Sequence, residues 1–131
     1  MSDCVFCDHD NINGIELLVD NVYMFTPLNP VVRGHKCFIH KEHTADASSD
    51  PNIYAEVSKV AALYAGLQGV PFNLITSAGK EATQSVRHLH VHYVPRTEAD
   101  GLYLPWTNQV KGATKWPTII VTGKQIGRAH V

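Results

Sequence analysis

Between residues 88 and 93 the chain reads His88-Leu89-His90-Val91-His92-Tyr93, and this strict alternation constrains the fold more than any other stretch. Successive side chains of a strand point to opposite faces, so residues two apart share a face at a spacing of about 6.7 Å. A strand over Ser85–Val94 would line three imidazoles on one side and send Leu89, Val91 and Tyr93 into a core on the other. A row of imidazoles is poor core material. Its uses near neutral pH are nucleophilic, acid–base or metal-binding. The bland alternative is a surface strand that happens to be rich in histidine.

The neighbouring segments supply a sheet for that strand. Ile15–Val19, Val22–Thr26, His35–Lys41 and Phe72–Thr76 read as strands separated by Asp20-Asn21, by Pro27 and Pro30, and by Gly34. One helix is well signalled. Asp50 is placed to cap it and Pro51 to occupy its first position, with Ser48 and Ser49 as competing caps. Ile53, Val57, Val60, Tyr64 and Leu67 then recur on one helical face, and Gly66, Gly69 and Pro71 end the element. Beyond Arg96 only Thr118–Thr122 reads as a strand. Closely spaced strands plus one helix predict an α+β domain with an antiparallel sheet. At 131 residues a single domain, 1–131, is expected, with a core over about 4–96 and a C-terminal extension over 97–131.

Composition excludes several classes of function. The formal net charge is −1, with no basic excess to favour a nucleic-acid polymer and no acidic tail to suggest a histone-like or solvating role. The longest apolar runs are far short of a membrane span, and Met-Ser-Asp-Cys at the start shows no basic or apolar targeting region. A cytoplasmic protein without membrane contact is expected. The three cysteines, Cys4, Cys7 and Cys37, do not resemble a secreted disulfide scaffold. Cys4-x-x-Cys7 is followed by the polar stretch 8–14 rather than by a helix after a buried strand, which favours half a zinc site over a redox motif. Two histidines from later segments would complete four protein ligands, leaving no open position, so the metal would be structural.

The eight histidines sort by position. His88, His90 and His92 form the row, His35, His40 and His43 share one segment, and His9 and His130 read as solvated surface groups. A middle imidazole flanked by two others, with one nitrogen free and the other held by an acceptor, is suited to covalent catalysis, and phosphorus is the electrophile best matched to such a donor-rich site. Gln84 and Ser85 lie close enough in sequence to donate to phosphate oxygens, and the Ser77-Ala78-Gly79 turn could bring backbone N–H groups to an anion.

The run Gln84-Ser85-Val86-Arg87-His88-Leu89-His90-Val91-His92-Tyr93-Val94-Pro95-Arg96 resembles the signature of histidine triad (HIT) proteins. Gly34-His35-Lys36-Cys37-Phe38-Ile39-His40-Lys41-Glu42-His43 is similar to that family's second hallmark, Gly-His followed by an apolar strand ending in Pro-Lys-x-His. The resemblance spans Cys4 to about Arg96 and is to the zinc-containing type. It implies an α+β HIT-like domain, five strands or so in an antiparallel sheet with one main helix, homodimeric, binding nucleotides and hydrolysing or transferring nucleotidyl groups through a covalent nucleotidyl-histidine. By position, the resemblance makes His90 the nucleophile. It puts His92 and His35 around the phosphate, and makes Ser85 and Gln84 donors to it. A backbone carbonyl in the His88 strand would hold the far nitrogen of His90. Ser77 and Leu28 fall where substrate-contacting residues are expected. Cys4, Cys7, His43 and His88 would be the ligands of a structural Zn2+.

The sequence departs from the family pattern at four places. His40 stands for the usual Pro and Thr83 for the usual Gly. Ser77 stands where many members carry a phosphate-contacting Asn. Pro27 and Leu28 occupy the region where nucleoside-specific members often place an Asp on the ribose. Two functions follow from the resemblance. One is a hydrolase or transferase acting on a nucleoside phosphoramidate, a dinucleoside polyphosphate or a related nucleotide conjugate. The alternative is a non-catalytic, zinc-stabilised nucleotide-binding or interaction module. A metal-storage protein is disfavoured, because Cys4, Cys7, His43 and His88 suffice for one closed site.

Overall fold

The computed structural model describes residues 4–107. The chain falls into two compact units, 1–98 and 99–131. The second is described only as far as Thr107, whose backbone N–H donates to the Leu104 carbonyl at 3.0 Å. The strand expected over Thr118–Thr122 and the solvated His130 lie outside the described residues.

The first unit is a five-stranded antiparallel sheet with one long helix. In chain order the strands are β1 (Glu16–Leu17), β2 (Val22–Phe25), β3 (Lys36–His40), β4 (Phe72–Ile75) and β5 (His90–Pro95), and their spatial order is β1-β2-β3-β5-β4. Helix α1 (Pro51–Gln68) lies between β3 and β4 in sequence. Asp50 caps it by accepting N–H bonds from Asn52 and Ile53, and Gly69 closes it in the left-handed conformation at φ 68°. Ser48 and Ser49 are not the cap. Their backbone N–H and hydroxyl groups all turn to the Asp46 carboxylate, in the bend that precedes the helix.

Both faces of the sheet are covered, because β3 and β5 carry apolar residues on each. On one face Val22, Met24, Phe38, Leu89, Val91 and Tyr93 pack against Ile53, Val57, Val60, Ala61 and Ala65 of the helix. Burying a side chain of Val, Leu or Phe size contributes about 1.5–3 kcal/mol, which makes this layer the main source of stability. Leu67 departs from the expected helical face. It is 84% exposed, and the small residues Ala61 and Ala65 take the inward positions where the helix lies close to the sheet. On the opposite face Phe25, Cys37 and Ile39 are covered by Phe6, Ile12, Ile15 and Tyr23. The N-terminal segment therefore folds back over the sheet rather than trailing into solvent.

Two features aim the functional segments. Gly34 enters β3 at φ 93°, and an added Cβ there would meet the Pro95 ring at 3.2 Å, so a side chain would be strained on both counts. Strand β5 starts at His90 rather than at Ser85, and His88 lies in the bend before it. The register sets Ile39 opposite His90 and Cys37 opposite His92, so both imidazoles look out on the same face, where Phe6 packs against His90.

Candidate functional site

The histidine row divides into two environments. His88 is fully buried, and its Nε2–H donates to the His40 backbone carbonyl at 3.2 Å. That leaves Nδ1 with its lone pair, and around it lie Cys4 Sγ at 3.4 Å, Cys7 Sγ at 3.5 Å and His43 Nδ1 at 3.1 Å, with Cys7 Sγ 3.2 Å from His43 Nδ1. Tetrahedral zinc with the usual bond lengths would set S···N separations near about 3.5 Å and N···N near about 3.3 Å. The four donors fit that geometry to within a few tenths of an ångström and could hold a metal ion.

His90 is held differently. Its Nδ1–H donates to the His88 carbonyl at 2.8 Å, so the lone pair of the neutral ring is on Nε2. The Phe6 ring meets it edge-on at 5.2 Å, and the His92 ring lies 5.0 Å away. Burial lowers the His90 pKa from the ordinary 6.5, against a smaller opposite effect of the His88 carbonyl. The direction of this shift cannot be read from sequence.

Next to it runs a chain of hydrogen bonds with one consistent direction. The Val31 N–H donates to His35 Nδ1 at 3.1 Å, so His35 carries its proton on Nε2 and donates it to His92 Nδ1 at 2.9 Å. His92, accepting at Nδ1, must then present Nε2–H as a donor. Burial first, then the charges of His90 and His35, lower the His92 pKa to about 4, so the ring is neutral at physiological pH.

The other expected residues are placed less uniformly. Gln84 is buried rather than open to a ligand. Its Oε1 accepts from Gly79 N–H at 2.9 Å and its Nε2 donates to the Ala45 carbonyl at 2.7 Å, so the amide ties two loops together. Ser85 is exposed and lines a cavity of about 370 Å³ with Cys4, Val5, Val86 and Arg87. Ser77 is half-buried, while its neighbour Thr76 donates its hydroxyl to the His90 carbonyl at 2.7 Å. Leu28 is 94% exposed, in the loop that returns to place Val31 over His35.

Sequence reasoning missed three residues. Phe6 was legible in principle, since a residue between two pinned cysteines is itself pinned. His40 is only 1% exposed and is tied to α1 by a 2.9 Å contact between its Nε2 and the Glu56 carboxylate, while its Nδ1 accepts from Glu42 N–H. This explains a polar side chain where the family usually has Pro. His9 is not a solvated group: it stacks on Tyr23 at 4.3 Å, and its Nε2 is buried with no hydrogen-bond partner among the described residues.

Residues 17–99 match the HIT domain. The chain belongs to the HIT family. Among similar HIT-family proteins is an adenosine 5′-monophosphoramidase of Saccharomyces cerevisiae, 30% identical over 112 residues, which span 81% of this chain and 71% of the yeast protein. An adenylylsulfatase of Arabidopsis thaliana is 32% identical over 113 residues, covering 78% of this chain and 56% of the plant protein. The fold superposes on the crystal structure of a HIT family protein from Bacillus anthracis with a TM-score of 0.66 and 30% identity, covering 80% of this chain and 82% of that one. The five-stranded antiparallel sheet with one main helix is thus the HIT fold.

Proposed function

We propose that this HIT protein is a nucleotidyl hydrolase or transferase that works through a covalent nucleotidyl-His90 intermediate. The observation that carries the reading is the 2.8 Å bond from His90 Nδ1–H to the His88 carbonyl. It fixes the tautomer and leaves Nε2 as the nucleophile. Nε2 attacks the α-phosphorus, a P–N bond forms, and the bond from phosphorus to the leaving group breaks. His92 Nε2–H, positioned by His35, donates to the phosphate or the departing atom and supplies the leaving-group proton. Water then attacks the adduct and gives one proton back to His92 Nε2, the P–O bond forms as the P–N bond breaks, and His90 leaves in its neutral state. Thr76 and the His88 carbonyl hold the backbone and ring of His90 from two sides.

The substrate class is a nucleoside 5′-phosphate joined to an amine, sulfate or phosphate leaving group. The activities named for the yeast and plant relatives support it. His90→Ala should lower turnover by several decades while the fold survives, because no other group can form the intermediate. The direct test is mass spectrometry of protein quenched during turnover of a nucleoside phosphoramidate. A nucleotidyl adduct is expected on the peptide carrying His90. Micromolar nucleotide binding with neither product nor adduct would instead favour a non-catalytic binding module.

Cys4, Cys7, His43 and His88 are proposed to hold Zn2+, which would supply no chemistry beyond fixing the N-terminal segment to the sheet. Such a thiolate centre suits the reducing cytoplasm. A homodimer is also proposed. Among the described residues β4 is an edge strand of the sheet, and Leu63 and Leu67 of α1, with Val70 and Phe72, are 58%, 84%, 43% and 41% exposed. Sedimentation at micromolar concentration should give twice the mass of the chain, and a monomer would count against this face as the interface.

A further inference from the structure

We propose that Cys37, His90 and His92 form a second metal site, separate from the Cys4–Cys7–His43–His88 cluster, which takes a d10 cation such as Zn2+ or Cd2+ and switches the protein off when filled. One donor atom from each of the three residues lies within 4.8 Å of the others. The placement follows from the sheet, since Cys37 is the direct partner of His92 across β3 and β5, and His90 is two residues along on the same face. Donors around a tetrahedral zinc sit about 3.3–3.6 Å apart, so side-chain rotations of about 1 Å would close the shell. Three protein ligands leave the fourth position open to water or anion.

A buried cysteine is most often a small apolar filler, and Cys37 is 1% exposed between Phe25 and Ile39. Two imidazoles facing it set this one apart. His90 Nδ1 is committed to the His88 carbonyl, so His90 would bind the metal through Nε2, the same atom proposed as the nucleophile. His92 can offer a lone pair only if the proton that His35 Nε2 donates to its Nδ1 is displaced or moved. Filling the site therefore blocks the nucleophile and breaks the His35–His92 link together. The half-buried His92 gives an ion its way in. Binding exchanges the thiol proton for the metal: the S–H bond breaks, the S–metal bond forms, and the proton leaves to solvent.

The inhibitory consequence rests on the reading of His90 as the nucleophile, but the binding does not. The test titrates the holoprotein, its first zinc in place, with Cd2+ while following the thiolate-to-cadmium charge-transfer absorption, and with Zn2+ while following turnover of a nucleoside phosphoramidate. The wild type should take up one further equivalent with new absorption and lose turnover. Cys37→Ala should turn over normally, show no absorption from that equivalent, and resist Zn2+ by at least tenfold. His90→Ala, inactive by design, should still lose Cd2+ affinity relative to wild type. Identical Cd2+ titrations in wild type and Cys37→Ala would overturn the site. If Cys37→Ala fails to fold, Cys37→Ser takes its place with the same expected loss of absorption. A wild type that binds the extra equivalent yet turns over no nucleotide would refute the nucleotidyl-transfer reading and leave the metal site standing.

Discussion

His90 is buried, and the Phe6 ring is one of the groups that cover it. Phe6 stands edge-on against it at 5.2 Å and against His88 at 6.0 Å. A buried imidazole resists protonation, so the neutral, nucleophilic form persists to lower pH than for an imidazole in water. The acid limb of kcat/KM should accordingly lie below pH 6.5. In Phe6→Ala, water reaches His90 and the limb should move up toward 6.5, as a pH–rate series on the free enzyme would show. An unchanged limb in that variant would mean that Phe6 does not set the environment of His90. His40 is buried as well, in a structural setting. Its two ring nitrogens are both satisfied, by Glu42 N–H and by the Glu56 carboxylate, and it anchors the end of β3 to α1.

At the scale of elements, the loop from Ser77 to Leu89 decides how β5 is presented. It is fastened by Gln84 to Gly79 and Ala45, and by Leu89 N–H to the Thr44 carbonyl at 2.7 Å. Inside it, Thr83 adopts φ 73°, a left-handed conformation that a β-branched side chain disfavours. The family's usual glycine at this place has a physical reason that this chain does without. Thr83→Gly should raise stability by about 1 kcal/mol in urea denaturation, with an unchanged m-value and unchanged turnover. Destabilisation by that substitution would show that the loop is not strained there.

At the scale of the whole unit, two layers of unequal strength enclose the sheet. The helical layer is a continuous apolar core, whereas the opposite layer rests on Phe6, Ile12, Ile15 and Tyr23 and on the Cys4–Cys7–His43–His88 cluster. Stripping metal with a chelator, or Cys7→Ser, should therefore loosen the N-terminal segment first. Hydrogen exchange should lose protection over residues 4–14 while the β2, β3 and β5 amides stay protected, and Tm should fall by more than about 10 °C. Retained protection over 4–14 after complete metal removal would show that apolar packing alone holds that layer. No helix among the described residues is long and apolar enough to cross a membrane.

The local rules of the chain determined a good deal. The alternation over 88–93 divided Leu89, Val91 and Tyr93 from the imidazoles, and Asp50-Pro51 and Gly69 set the ends of α1, because strand pleat and helix caps depend on neighbours a few residues apart. Which donors would meet was legible only through the family resemblance, since Cys4 and His88 are 84 residues apart and Cys7 and His43 are 36 apart. Tertiary structure alone decided the rest: the tautomers of His35, His88, His90 and His92, the use of Gln84 as a brace, the Phe6 cover, and Cys37 beneath two imidazoles. Each depends on which polar atom or ring arrives from a distant segment to satisfy a buried group. Periodicity carries no record of that.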